Sequence, residues 1–103
     1  MAVVYPNMVP ALAEVRLDAT DSSGEPVREM FSKLWRPLAM SRVDDLWYGF
    51  VINDSSVESI FPGQSVTCTV SFLNHQDAQH AFPRGASFVF GDGFITKGVL
   101  RLL

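Results

Sequence analysis

The sequence predicts a single small all-β barrel domain with no catalytic centre of its own. Three observations predict it. Two segments alternate apolar and polar residues at the period of a strand, turn-forming residues punctuate the chain at short intervals, and only one stretch carries helical spacing. At 103 residues the chain has room for one core. Its residues are 48% apolar and 18% charged, which excludes a disordered chain, and eight phenylalanines supply large areas to bury.

Residues 1–13 are read as an N-terminal arm and 14–103 as the barrel. Residues 14–20 form the first strand, with Val15, Leu17 and Ala19 on one face and Glu14, Arg16, Asp18 and Thr20 on the other. Turn residues at 21–26 stop it. In 27–43, Val27, Met30, Phe31 and Leu34 stand at helical spacing and Glu29 and Lys33 make an i,i+4 pair. Pro37 removes a donor and pushes Arg36 toward extended backbone. The segment is therefore read as a loop or short helical turn at 27–33, then a strand across 35–43. Leu46 to Ile52 is continuously apolar, so both of its faces are expected to be buried.

Phe61, Pro62, Gly63 and Gln64 form a turn that feeds the clearest strand, 65–73. There Val66, Cys68, Val70 and Phe72 face in and Thr67, Thr69 and Ser71 face out, with β-branched residues on both faces. Asp92 and Gly93 accept the positive φ of a tight hairpin turn. In the return strand Phe94, Thr96, Gly98, Leu100 and Leu102 share the inner face, and Ile95, Lys97, Val99 and Arg101 the outer. Gly98 inside that strand signals a bulge or bend.

From residue 35 onward the chain resembles the C-terminal β-barrel, the third domain, of the elongation factor Tu family of translation GTPases. The likeness rests on Trp35, Arg36 and Pro37, like the family's aromatic-Arg-Pro strand opening. It rests also on Phe61 to Val66, like a Met-Pro-Gly-Asp strand entry, on Gly85, Phe88, Asp92 and Gly93, like the closing hairpin, and on Gly98 and Val99 of the final strand. The strand at 14–20 fits the family's first strand, so the resemblance covers nearly the whole chain. It implies a six- to seven-stranded antiparallel Greek-key barrel and a binding module, with a surface that in the family packs on other domains and helps hold the tRNA acceptor arm. No phosphate-binding P-loop is present, so nucleotide hydrolysis is not implied. The loop before Trp35 and the turn after Gly93 depart from the family's pattern.

Candidate chemistry is sparse. His75 and His80 are the only histidines, and a metal site would need Asp77 or Cys68 as well. Cys68 is expected to point inward, away from those loop histidines, as a small core residue and not as a nucleophile. Asp44 and Asp45 are neighbours that point apart, which suits turn residues better than an acid–base pair. No catalytic, metal or cofactor residue is assigned. A lone cysteine removes any internal disulfide and suits a reducing compartment, and the apolar start lacks a positive n-region and is broken by Pro6 and Pro10. The expected setting is the cytoplasm, with no membrane contact.

What remains is the surface. Trp35, Met40, Trp47, Tyr48 and the arm residues Val3, Val4 and Tyr5 exceed the aromatic and apolar content that one small barrel must bury. Arg36, Arg84, Lys97 and Arg101 are candidate contacts on the basic side. The expected function is a non-enzymatic protein-binding module, an adaptor or an immunity-type inhibitor, whose partner is another protein or a second copy in a homodimer. The alternative is a tRNA- or ribosome-associated RNA-binding module, which the formal charge of −3 disfavours.

Overall fold

The computed structural model describes residues 10–32, 36–40, 47–53, 56–72 and 84–103. They form eight strands: β1 (Pro10–Leu17), β2 (Met30–Phe31), β3 (Leu38–Met40), β4 (Trp47–Ile52), β5 (Ser59–Ile60), β6 (Ser65–Phe72), β7 (Ser87–Gly91) and β8 (Thr96–Leu102). Six of them close into a barrel in the order β1-β6-β4-β3-β7-β8, every pairing antiparallel, and β8 closes back on β1. Within that ring β7 lies beside β3, so β7-β3-β4-β6 has the spatial order of a Greek key. The two remaining strands, β2 and β5, make a short separate ribbon.

Alternation decides what fills the interior. Ala13, Val15 and Leu17 of β1 face in, as do Phe50 and Ile52 of β4, Cys68 and Val70 of β6, Phe88 and Phe90 of β7, and Leu100 and Leu102 of β8. Phe50 centres the aromatic packing. Its ring lies 6.0 Å from Phe72 and 5.7 Å from Phe90, the latter nearly edge-on at 81°, the geometry that aromatic quadrupoles favour. Two small residues flank Phe90 on its neighbouring strands, Ala39 on β3 and Gly98 on β8. A Cβ on Gly98 would overlap the Phe90 ring and the Arg16 carbonyl oxygen. That glycine serves close approach, while the irregular register falls at Phe90 and Gly91.

Several expectations are corrected. The first strand starts at Pro10 and ends at Leu17, so residues 10–13 of the supposed arm pair with β6. Ala19 is exposed because the chain has left the barrel by then. No helical turn occurs among the described residues of 27–33. Val27 is buried and β2 pairs with β5, so the helical spacing arose from an extended chain dropping two side chains onto the core. Residues 36 and 37 precede β3 and are not strand, and β4 is buried on its inner face only, its outer residues being half-buried. Ser71 faces outward yet is fully buried, and its hydroxyl accepts a hydrogen bond from Asn53 Nδ2 at 3.3 Å.

The turn at Asp92 is longer than expected. β7 ends at Gly91 and β8 begins at Thr96, and Asp92 Oδ1 accepts the N–H groups of Phe94 at 3.0 Å and Ile95 at 2.8 Å. Phe94 therefore belongs to the turn and not to the inner face. Asp21 organises the loop after β1 in the same manner, accepting from the Ser23 hydroxyl at 2.6 Å and from the Ser23 and Glu25 amides at 2.9 and 3.1 Å.

These bonds favour the charged carboxylates. The Ser23 hydroxyl is the main cause for Asp21, and the Ile95 and Phe94 amides for Asp92, and each carboxyl is held below the ordinary 3.8. A depressed folded-state pKa gives stability that is fully present above the unfolded value of 3.8 and lost as pH falls through the folded values. The urea midpoint of the native chain should thus drop as pH falls below 3.8, and the D21A/D92A variant should lose part of that drop. Identical acid limbs for the two proteins would refute the assignment.

Candidate interaction surface

The hairpin register settles where two predicted surface residues stand. Met40 is directly opposite Trp47, and the adjacent pair, Ala39 and Tyr48, is buried inside. Alternation then places Met40 and Trp47 side by side on the outer face, where both are half-buried. Leu38 and Val51 share that face along β3 and β4, and Val89 extends it across β7, where it is exposed. None of these three strands carries an Asp, Glu, Lys, Arg or His. The charged side chains of the six barrel strands are Glu14, Arg16, Lys97 and Arg101, all on β1 and β8. The barrel wall is thus divided into a charged side and an uncharged side.

On the charged side the signs alternate. Arg101 stands opposite Glu14 with N and O 3.7 Å apart, and Arg16 meets Asp18 at 3.6 Å. Pairs this exposed contribute between about 0 and 1 kcal/mol. Lys97 acts electrostatically on both Asp21 and Asp92, helping to hold each ionised. Arg36 and Arg84 are exposed. Arg36 lies just before Leu38, which pairs with the last residue of β7, and Arg84 just before the first residue of β7. The four expected basic contacts are therefore spread over two ends and a mixed-sign wall, and do not converge.

Cys68 is buried among core side chains, as expected. Tyr5, Trp35, Asp44, Asp45, His75, Asp77 and His80 lie outside the described residues. Sequence reasoning missed three exposed aromatics: Phe31 at 53%, Phe61 at 54% and Phe94 at 90%. A signal was present for two of them. Phe61 abuts the Pro62-Gly63 turn and Phe94 follows the Asp92-Gly93 turn, places where polar residues are the rule.

A small closed barrel is shared by unrelated proteins, so the fold by itself does not single out the elongation factor Tu family. No protein-family model and no curated protein matches the chain.

Proposed function

We propose that this chain is a non-enzymatic protein-binding module, a stand-alone elongation-factor-Tu-like β-barrel acting as an adaptor or immunity-type inhibitor. The observation that carries the reading is the uncharged outer wall formed by Leu38, Met40, Trp47, Val51 and Val89. The interior is already filled by Phe50, Phe88, Phe90 and their neighbours, so hydrocarbon on the outside adds little to the core. It gains by being covered, at about 25 cal/mol per Å² removed from water. Large apolar side chains with few charges are what the centre of a protein interface uses. The lone Cys68 fits a reducing cytoplasm.

The test is capture from host lysate by the native chain and by M40K/V89K, with mass spectrometry of what is retained. The variant should lose the partner by at least about tenfold, the effect of some 1.4 kcal/mol, while its melting temperature stays close to the native one. Equal retention by both proteins defeats the proposal. So does tRNA binding that weakens steeply with salt and disappears in R36A/R84A, because that result belongs to phosphate contacts.

A further inference from the structure

The barrel has a second surface of different chemistry, at the end where β1 finishes. The turn at 61–64 clasps Leu17 from one side, with Gly63 N–H donating to Leu17 O at 2.6 Å and Leu17 N–H donating to Gln64 O at 3.0 Å. The turn at 92–95 reaches the same end from the other side. Asp18 N–H donates to Lys97 O at 2.9 Å, Ser22 N–H to Thr96 O at 3.0 Å, and Thr96 N–H to Ser22 Oγ at 2.9 Å. The β2-β5 ribbon leads directly into the 61–64 turn. Its inward pair is Met30 and Ile60, and alternation turns Phe31 and Phe61 to its outer face.

The three large phenylalanines exposed among the described residues, Phe31 on the β2-β5 ribbon and Phe61 and Phe94 on turns, thus sit at one end. An aromatic ring left 90% exposed contributes almost nothing to folding. The same loops are acidic. Among the described residues they hold Asp21, Glu25, Glu29, Glu58 and Asp92. Their cations are Arg28, Arg36 and Lys97, and Lys97 is engaged by two of those carboxylates. Asp18 is set aside because it pairs with Arg16.

We infer that this end docks a cationic protein segment carrying apolar side chains, which would rest on Phe31, Phe61 and Phe94 while its Lys or Arg groups meet the surrounding carboxylates. The charge around the rings selects the occupant. A neutral apolar groove partner would have no use for the acidic rim, an anionic lipid surface or a nucleic acid would be repelled by it, and a second copy would bring like charge against like. Opposed potentials of this kind steer encounter and exclude wrong partners, and the rings provide the contact that persists in salt. The surface touches the wall at Leu38, whose side chain reaches Gly93, but uses none of Met40, Trp47 or Val89, so the inference stands whether or not that wall binds a protein. Both together would suit an adaptor.

Fluorescence anisotropy with a labelled amphipathic lysine–leucine peptide tests it on the full chain, beside a glutamate–leucine peptide, an oligolysine and phosphatidylcholine vesicles. The lysine–leucine peptide should bind, the glutamate–leucine peptide should not, and rising salt should weaken but not abolish the complex. F61S/F94S should lower its affinity by about tenfold or more. E29K/E58K, which leaves the rings in place, should do the same, and amide shifts in an NMR titration should map to residues 20–31, 58–64 and 92–96. Equal binding of both amphipathic peptides overturns the inference, as does oligolysine binding as tightly, preference for the vesicles, or shifts centred on Met40, Trp47 and Val89. Loss of peptide binding in M40K/V89K would also overturn it, and its retention there separates this surface from the wall.

Discussion

Phe50→Ala is expected to destabilise the fold by about 3–5 kcal/mol, the range for emptying a buried phenylalanine site. The reason lies in what the ring touches. Phe50 has no exposed area, stands directly opposite Phe72 on β6, and reaches past β3 to meet Phe90 on β7 at 5.7 Å. The β3 residue opposite Phe90 is Ala39, whose small side chain leaves room for that contact. Removing the ring therefore takes one wall from two other phenylalanines at once, and a closed barrel cannot draw its strands together to fill the void. A domain of this size shifts by roughly 4–8 °C per kcal/mol, so the midpoint should fall by more than about 12 °C. Phe50→Leu, which keeps most of the volume, should cost about 1.5 kcal/mol or less. Thermal and urea unfolding followed by circular dichroism measure both. An alanine variant within about 1 kcal/mol of the native protein would contradict the packing described.

The parts of this architecture that were readable in the chain are those where one strand face is polar. β1 and β6 show Glu14, Arg16, Thr67 and Thr69 between inward apolar residues, so their faces separate by inspection. In β4 the outer residues Trp47, Gly49 and Val51 are themselves uncharged and mostly apolar, and the alternation vanishes into a continuous run. That loss of pattern is the same property that makes the wall a candidate interface, so the blurred strand was itself informative. The β2-β5 ribbon was illegible because two residues per strand carry no period, and their partners come from 28 and 30 positions away. Register was also hidden. That Met40 meets Trp47, or that Arg101 meets Glu14 instead of joining Lys97 in a basic stripe, depends on pairings across the sheet that composition does not encode. Phe94 was misassigned for a local reason, since Asp92 caps a turn that spans residues 92–95 and delays the return strand to Thr96.

Gly98→Ala is the second large effect expected, about 3 kcal/mol or more, toward the upper end of overpacking. One methyl group is enough because its two collisions are of different kinds. The Phe90 ring is a side chain and has some freedom to tilt, although Phe50 packs on its other side. The Arg16 carbonyl belongs to the β1 backbone, and it moves only if β1 and β8 separate where Leu17 faces Gly98 and the barrel closes. The two contributions can be told apart by a double-variant cycle. Phe90→Leu removes much of the ring, so G98A/F90L should regain the part of the loss due to side-chain overlap. The part due to the Arg16 oxygen should remain. Full recovery in the double variant would place the whole conflict in the ring and leave the strand contact at the barrel seam without a role. No recovery would place it in the backbone alone. If G98A itself unfolds at the native urea concentration, then β8 does not approach β1 as closely as the closed barrel requires, and the seam between the first and last strands is looser than described.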